Sequence, residues 1–225
     1  METTSKFDQK VQTWLSLSHE GRFFDAKSYY YENLFDDIIH KFTEREDSVI
    51  DHQNKVLFSM LGFTPEPIIL TQRAMNPSVH VIFTTNSEDS AQEDNINECL
   101  GKFLTSQYKV VKLEDDDFST IYDVLKEHMI LYPASEYTID ITGGKKSMVA
   151  SAAIFARDYN CNVVYVDYDK YLKELRSPMP GTERLKWVYK PYEDLPEIKF
   201  FQENAHIGAC SVSSDGKIIR QREAY

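Results

Sequence analysis

The stretch with the most chemistry in it is "DITGGKKSM", Asp140 to Met148, where an apolar run meets an alanine-rich segment. Gly143 and Gly144 let backbone N–H groups approach a ligand closely. A helix starting just after them offers unpaired donors and roughly half a positive charge. Lys145 and Lys146 add whole charges, and Thr142 and Ser147 add hydroxyls. The combination suits an anion, a phosphate above all. It is not a Walker A loop, which needs one glycine directly before Lys-Ser/Thr and another five positions earlier. Here Lys145, not a glycine, directly precedes Lys146. Nor does a GxGxxG fingerprint follow the first strand, where only Gly62 occurs. Read on composition alone, the two glycines can equally serve just to reverse the chain.

Other chemistry-bearing residues are sparser. "TTNSEDS" supplies Thr84, Thr85, Asn86 and Ser87 as uncharged hydrogen-bonding groups, although Ser87 followed by acids also reads as a helix cap. Glu114 to Asp117 could be imagined as a metal site, but consecutive carboxylates on a loop more often begin a solvated helix. His52, His80, His128 and His206 show no ligand spacing, and no Ser-His-Asp or Cys-His set is legible. Cys99, Cys161 and Cys210 are odd in number, far apart and without CxxC spacing. The sequence therefore predicts no metal site, no cofactor and no disulfide framework, and a reducing cytoplasm is the expected setting.

The elements that must hold these residues follow from periodicity. From Lys55 onward strands and helices alternate: "KVLFSML", "SVHVIFTT", "YKVVKL", "YTIDIT" and "NVVYVDYD" are the strands, each followed by a helical segment up to the last. Pro65 and Pro67 fall near the start of the first of these helices, where proline is tolerated. Nearly all-apolar strands alternating with helices imply an α/β class, a Rossmann-like, mostly parallel sheet covered on both faces. With strand order 3-2-1-4-5, the reversal lies between strands one and four, so "LGFTPEP" and "TGGKKS" meet where such sheets bind ligands. Before the sheet, Phe7 to about Phe42 reads as two helices separated near Gly21. After Asp169 the rhythm stops; "RLKWVY" is extended, and Asp215-Gly216 marks a C-terminal hairpin. The expected organisation is a helical appendage over 1–50, the sheet domain over 51–195, and an extension over 196–225 that is a hairpin or a linker to an effector.

Bulk properties narrow the function classes. The 225 residues are 42% hydrophobic, enough for a packed core, and the net charge is −11. An acidic chain without a basic recognition helix is a poor duplex DNA binder, because phosphate neutralisation supplies most of that affinity. A small nucleotide held at a focused site fits better. The apolar runs are short of a membrane span and the N-terminus has no signal-peptide pattern.

"IDITGGKKSM" resembles the Asp-x-Thr-Gly-Gly-(Thr/Lys)-Lys-x-Met signature of CARF domains, the CRISPR-associated Rossmann-fold sensors of type III antiviral immunity. "SMLGFTPEPIILTQRAMNP" and "TTNSED" are similar to the first- and second-strand ends of one branch, and "KPYEDL" to that branch's end. The resemblance implies a homodimer binding a cyclic oligoadenylate, tetra-adenylate being the weakly favoured ring, across its two-fold axis. Carried over by position, Gly143, Gly144, Lys145 and Lys146 hold phosphates and riboses. Gly62, Phe63 and Thr64 line the base pocket, with Thr85, Asn86 and Ser87 beside them. Two further readings stay open: a ring nuclease cleaving its ligand without metal, with Lys146 and either Ser87 or Thr142 as candidates, and a transcription regulator. Such sensors usually carry an effector domain, for which this chain has no room. Small residues Ala150, Ser151, Ala152 and Ala153 suit either a dimer contact or packing on the helix's own sheet.

Overall fold

A computed structural model describes residues 5–46, 54–85, 90–194, 210–212 and 218–220. The chain opens with α1 (Lys6–His19), α2 (Phe23–Tyr29), a π-helical turn (Tyr30–Leu34) and α3 (Phe35–Glu46). The first helix is started by a capping box between Ser5 and Asp8, and Gly21, at φ 75°, makes the break after it. From Phe23 to Glu46 the helix is continuous through the π turn, so the two helices read from periodicity are present, the second four residues longer than expected.

The alternating part comprises β1 (Lys55–Met60), α4 (Glu66–Met75), β2 (Val79–Thr85), α5 (Ser90–Phe103), β3 (Tyr108–Leu113), α6 (Phe118–Leu131), β4 (Glu136–Asp140), α7 (Lys146–Asp158) and β5 (Asn162–Tyr168). A small hairpin of β6 (Tyr171–Leu172) and β7 (Ser177–Pro178) leads into β8 (Glu183–Tyr189) and α8 (Pro191–Asp194). The sheet order is β3-β2-β1-β4-β5-β8. The first five strands are parallel, as the sequence predicts, and β8, the "RLKWVY" run, adds an antiparallel edge on β5. Beyond it, β9 (Cys210–Val212) and β10 (Ile218–Arg220) pair antiparallel; Asp215 and Gly216, read from the sequence as a hairpin signal, lie outside the described residues.

Side-chain alternation along β1 divides the interior in two. Leu57 and Leu61 face α1 to α5, together with Ile82, Val164 and Leu185. Val56, Phe58 and Met60 face α6 and α7, together with Val81, Phe83 and Ile139. The N-terminal helices thus share a core with the sheet: Trp14, Phe35, Ile38 and Phe42 are buried in the first cluster. Strand β1 is buried along its whole length, as a central strand must be. Strand β3, on an edge, is largely exposed and carries Lys109 and Lys112, the charges that discourage edge-to-edge pairing.

Candidate functional site

The order reversal between β1 and β4 brings the loops after those strands together at their C-terminal ends. Their backbones nearly touch. A Cβ on Gly143 would stand 2.4 Å from the Met60 carbonyl oxygen and 2.8 Å from the Gly62 nitrogen. One on Gly62 would meet the Gly144 nitrogen at 2.9 Å. Gly144 also has φ 81°, a conformation costly for any residue with a side chain. The glycines therefore do more than reverse the chain: they let two loops share one volume.

The β4–α7 loop is anchored from below. Asp140 is fully buried, and its Oδ1 accepts from the Thr142 N–H (2.9 Å) and hydroxyl (2.5 Å). The Thr142 hydroxyl in turn accepts from the Val166 N–H at 2.8 Å, tying the loop to β5. Burial pushes the Asp140 carboxyl up to about 6, and the Thr142 hydrogen bonds offset only part of that. The hydroxyls of Thr71 and Ser59 lie near enough to lower it slightly, yet Oδ2 has no hydrogen-bond partner among the described residues. Ser59 also meets His80 Nε2 at 2.9 Å, and burial pushes that imidazole down to about 3, leaving it neutral. A band of buried polar side chains thus lies under the loops, from His80 on β2 to Thr142.

Above it the surface is open and cationic. Lys145 is the N-cap of α7 and Lys146 its first residue, and both are exposed. Lys145 Nζ lies 3.6 Å from Asp116 Oδ2, and the same carboxylate accepts from the Ser147 hydroxyl at 2.7 Å. These contacts hold the Asp116 carboxyl below its usual range, the Ser147 hydrogen bond being the larger cause. Lys146 has no ion partner among the described residues. Phe63 projects into solvent at 85% exposure beside the loops, and Thr64 is exposed too. Thr85 is half-buried at the end of β2; Asn86 and Ser87, expected next to it, lie outside the described residues.

Gly62, Phe63, Thr64, Thr142, Gly143, Gly144, Lys145 and Lys146 therefore come from two loops that meet at one rim. Sequence reasoning missed Asp116 as a partner of this loop, having read Glu114 to Asp117 as a solvated helix start. It also drew nothing from Asp140, whose lone charge at the end of an apolar strand was the available signal. Ser151 and Ala152 pack inward, while Ala150, Ala153 and Ile154 are exposed. Among the described residues no group of three or more His, Cys, Asp or Glu is placed to hold a metal ion. Nor is any helix there long and apolar enough to cross a membrane.

A CRISPR system endoribonuclease Csm6 from Thermus thermophilus is 31% identical over 144 residues, covering 61% of this chain and 30% of that protein. The chain thus spans less than a third of the length of that curated relative. Among solved structures, Enterococcus italicus Csm6 bound to cyclic hexa-2'-fluoro-hexa-dAMP is similar with a TM-score of 0.48 and 19% identity, over 68% of this chain and 47% of that one. Can2 from Sulfobacillus thermosulfidooxidans, in complex with cyclic tetra-adenylate, is similar with a TM-score of 0.43 and 14% identity, over 59% and 33%. The family model described as the Card1 CARF domain matches residues 68–189, from α4 through β8 and so across the β4–α7 loop. That match covers more than half of the 225 residues, and with the parallel sheet and its glycine-joined loops it makes this chain a member of the Card1 CARF domain family.

Proposed function

We propose that this chain is a sensor of cyclic oligoadenylate in type III CRISPR antiviral defence, holding the ring across the two-fold axis of a homodimer. Family membership supports the ligand class, and one observation carries its place: Lys146, without an ion partner among the described residues, stands at the N-terminus of α7 beside the joined loops. A helix N-terminus with a lysine on it favours a phosphodiester. A ring of four or six identical nucleotides has even symmetry, so two protomers can each contact half of it with the same residues. In this reading Gly143, Gly144, Lys145 and Lys146 take phosphates and riboses. Phe63, Thr64 and Thr85 take bases, with Asn86 and Ser87 as further candidates. Tetra-adenylate is the favoured ring.

Titration with cyclic tetra- and hexa-adenylate tests the reading, with Lys146→Ala as the control. Loss of that charge-assisted contact weakens binding by about 1–3 kcal/mol, roughly five- to a hundredfold. Equal affinity in the variant contradicts the placement. Cleavage of the ring is the other outcome to score, by chromatography after long incubation with excess protein. The Thr142 hydroxyl, bonded to both Asp140 and Val166, is already engaged in holding the loop, which leaves Lys146 and Ser87 as the residues to vary if cleavage occurs.

A further inference from the structure

Beneath the joined loops, a carboxyl group is shut in among uncharged side chains. Asp140 ends β4 and is fully buried, as are the residues facing it. Ser59 stands opposite it on β1, and the Thr71 hydroxyl approaches from α4. Burial and hydroxyl groups, not a cation, set its proton affinity. Its two oxygens are used unequally. Oδ1 accepts both Thr142 bonds, while Oδ2 has no hydrogen-bond partner among the described residues. A proton on Oδ2 therefore breaks neither bond, because the oxygen left as a carbonyl still accepts from an N–H and an O–H. The loop keeps its anchor in both protonation states, and what changes is a full negative charge beneath it.

We propose that Asp140 is a positioning residue that gives up its charge when an anion binds: as a phosphodiester settles on the loop above, Oδ2 takes one proton from solvent, so that binding and proton uptake are coupled. The ligand in this proposal rests on the cyclic oligoadenylate reading above. Burial holds the Asp140 carboxyl up at about 6, so it is mostly ionised in the free protein at neutral pH and close to the point of change. A unit negative charge on the order of 8–10 Å away, at an effective dielectric of about 20, raises a carboxylate's proton affinity roughly tenfold or more. The other ionisable groups around the loop do not take up this proton. Burial keeps His80, bonded to Ser59 from β2, neutral down to about pH 3. Asp116, from the β3–α6 loop, is held low by Ser147 and Lys145, and Asp167, on β5, by Lys186. Lys145 and Lys146 at the start of α7 supply the positive charge that the ligand meets. The ring itself is silent near neutral pH, since its phosphodiesters stay ionised and its adenines stay uncharged.

Calorimetry of cyclic tetra- and hexa-adenylate binding at pH 7, in MOPS and in imidazole, counts the protons, because the two buffers differ in ionisation enthalpy. The wild-type protein is expected to take up roughly half a proton or more per chain, and to bind about five- to tenfold more tightly at pH 6 than at pH 8. Asp140→Asn keeps an acceptor for Thr142 and has no charge to lose. It should show no uptake, a flat profile between those pH values and, at pH 8, tighter binding than wild type. A residue that only shaped the loop would give equal or weaker binding in the variant. The wild-type measurement decides even where the variant fails to fold. Ring binding without proton uptake or pH dependence overturns the coupling and leaves the sensor reading standing. Uptake that persists in folded Asp140→Asn overturns the assignment to Asp140. No binding of either ring at pH 6 or pH 8 overturns the sensor reading and the coupling together.

Discussion

Asp140 has two jobs that conflict. It organises the β4–α7 loop through Thr142, and it does so from a buried place that disfavours its own charge. Its carboxyl is raised from 3.8 to about 6, so the folded state binds this proton more tightly than the unfolded chain does. Stability from this group is therefore full below pH 4, falls as pH rises through the window from 4 to 6, and is constant above it. Two units correspond to about 3 kcal/mol. His80 acts in the opposite sense: its imidazole is lowered from 6.5 to about 3, so it destabilises the fold as pH falls below 6.5. The wild-type profile mixes both, and Asp140→Asn separates them. Asn keeps an oxygen for Thr142 and turns Oδ2 into a donor near the Thr71 hydroxyl, both of these atoms being without a hydrogen-bond partner among the described residues. Urea unfolding at pH 4 and pH 7 should find the variant gaining up to about 3 kcal/mol on wild type over that interval. A difference independent of pH contradicts the assignment of the shift to Asp140.

Between elements, the informative contact is the one from the β3–α6 loop to the β4–α7 loop. Asp116 holds Ser147 and Lys145, where an anionic ligand is proposed to bind, and so competes with it. Asp116→Ala should tighten cyclic oligoadenylate binding about two- to fivefold, the scale of an exposed ion pair, and the gain should shrink in high salt. Weaker binding in that variant, measured by the same titration, would make Asp116 a support of the loop and not a competitor. This contact joins residues about thirty positions apart and has no periodic signal, which is why the sequence did not reveal it. The five parallel strands and their order were legible for the contrary reason. Runs such as "KVLFSM" and "HVIF" can be satisfied only in the middle of a covered sheet, and the helices between them carry one apolar face each. The sixth strand was not legible as sheet, because an antiparallel edge such as "ERLKWVY" is half polar and follows a break in the rhythm. The meeting of "LGFTPEP" with "TGGKKS" followed from topology, but the reason for three glycines there is visible only in the distances between the loops.

For the whole molecule the question is how one acidic chain would gather enough positive charge to hold the proposed phosphodiester-linked ring. Lys145 and Lys146 on a single copy are two charges in a net of −11. Two copies facing each other across a two-fold axis, as proposed, would double the number of these lysines and of the helix N-termini, and would match a ligand of even symmetry. The exposed face of α7, with Ala150, Ala153 and Ile154 outward, offers small and apolar residues for such an approach, while Ser151 and Ala152 are used on the chain's own sheet. Calorimetric titration with cyclic tetra- and hexa-adenylate, alongside light scattering of the free protein, tests this account most directly. It predicts a mass of twice 26.2 kDa before ligand is added and saturation at one ring per two chains. No binding of either ring at micromolar concentration, or a stable monomer that binds one ring per chain, would contradict it.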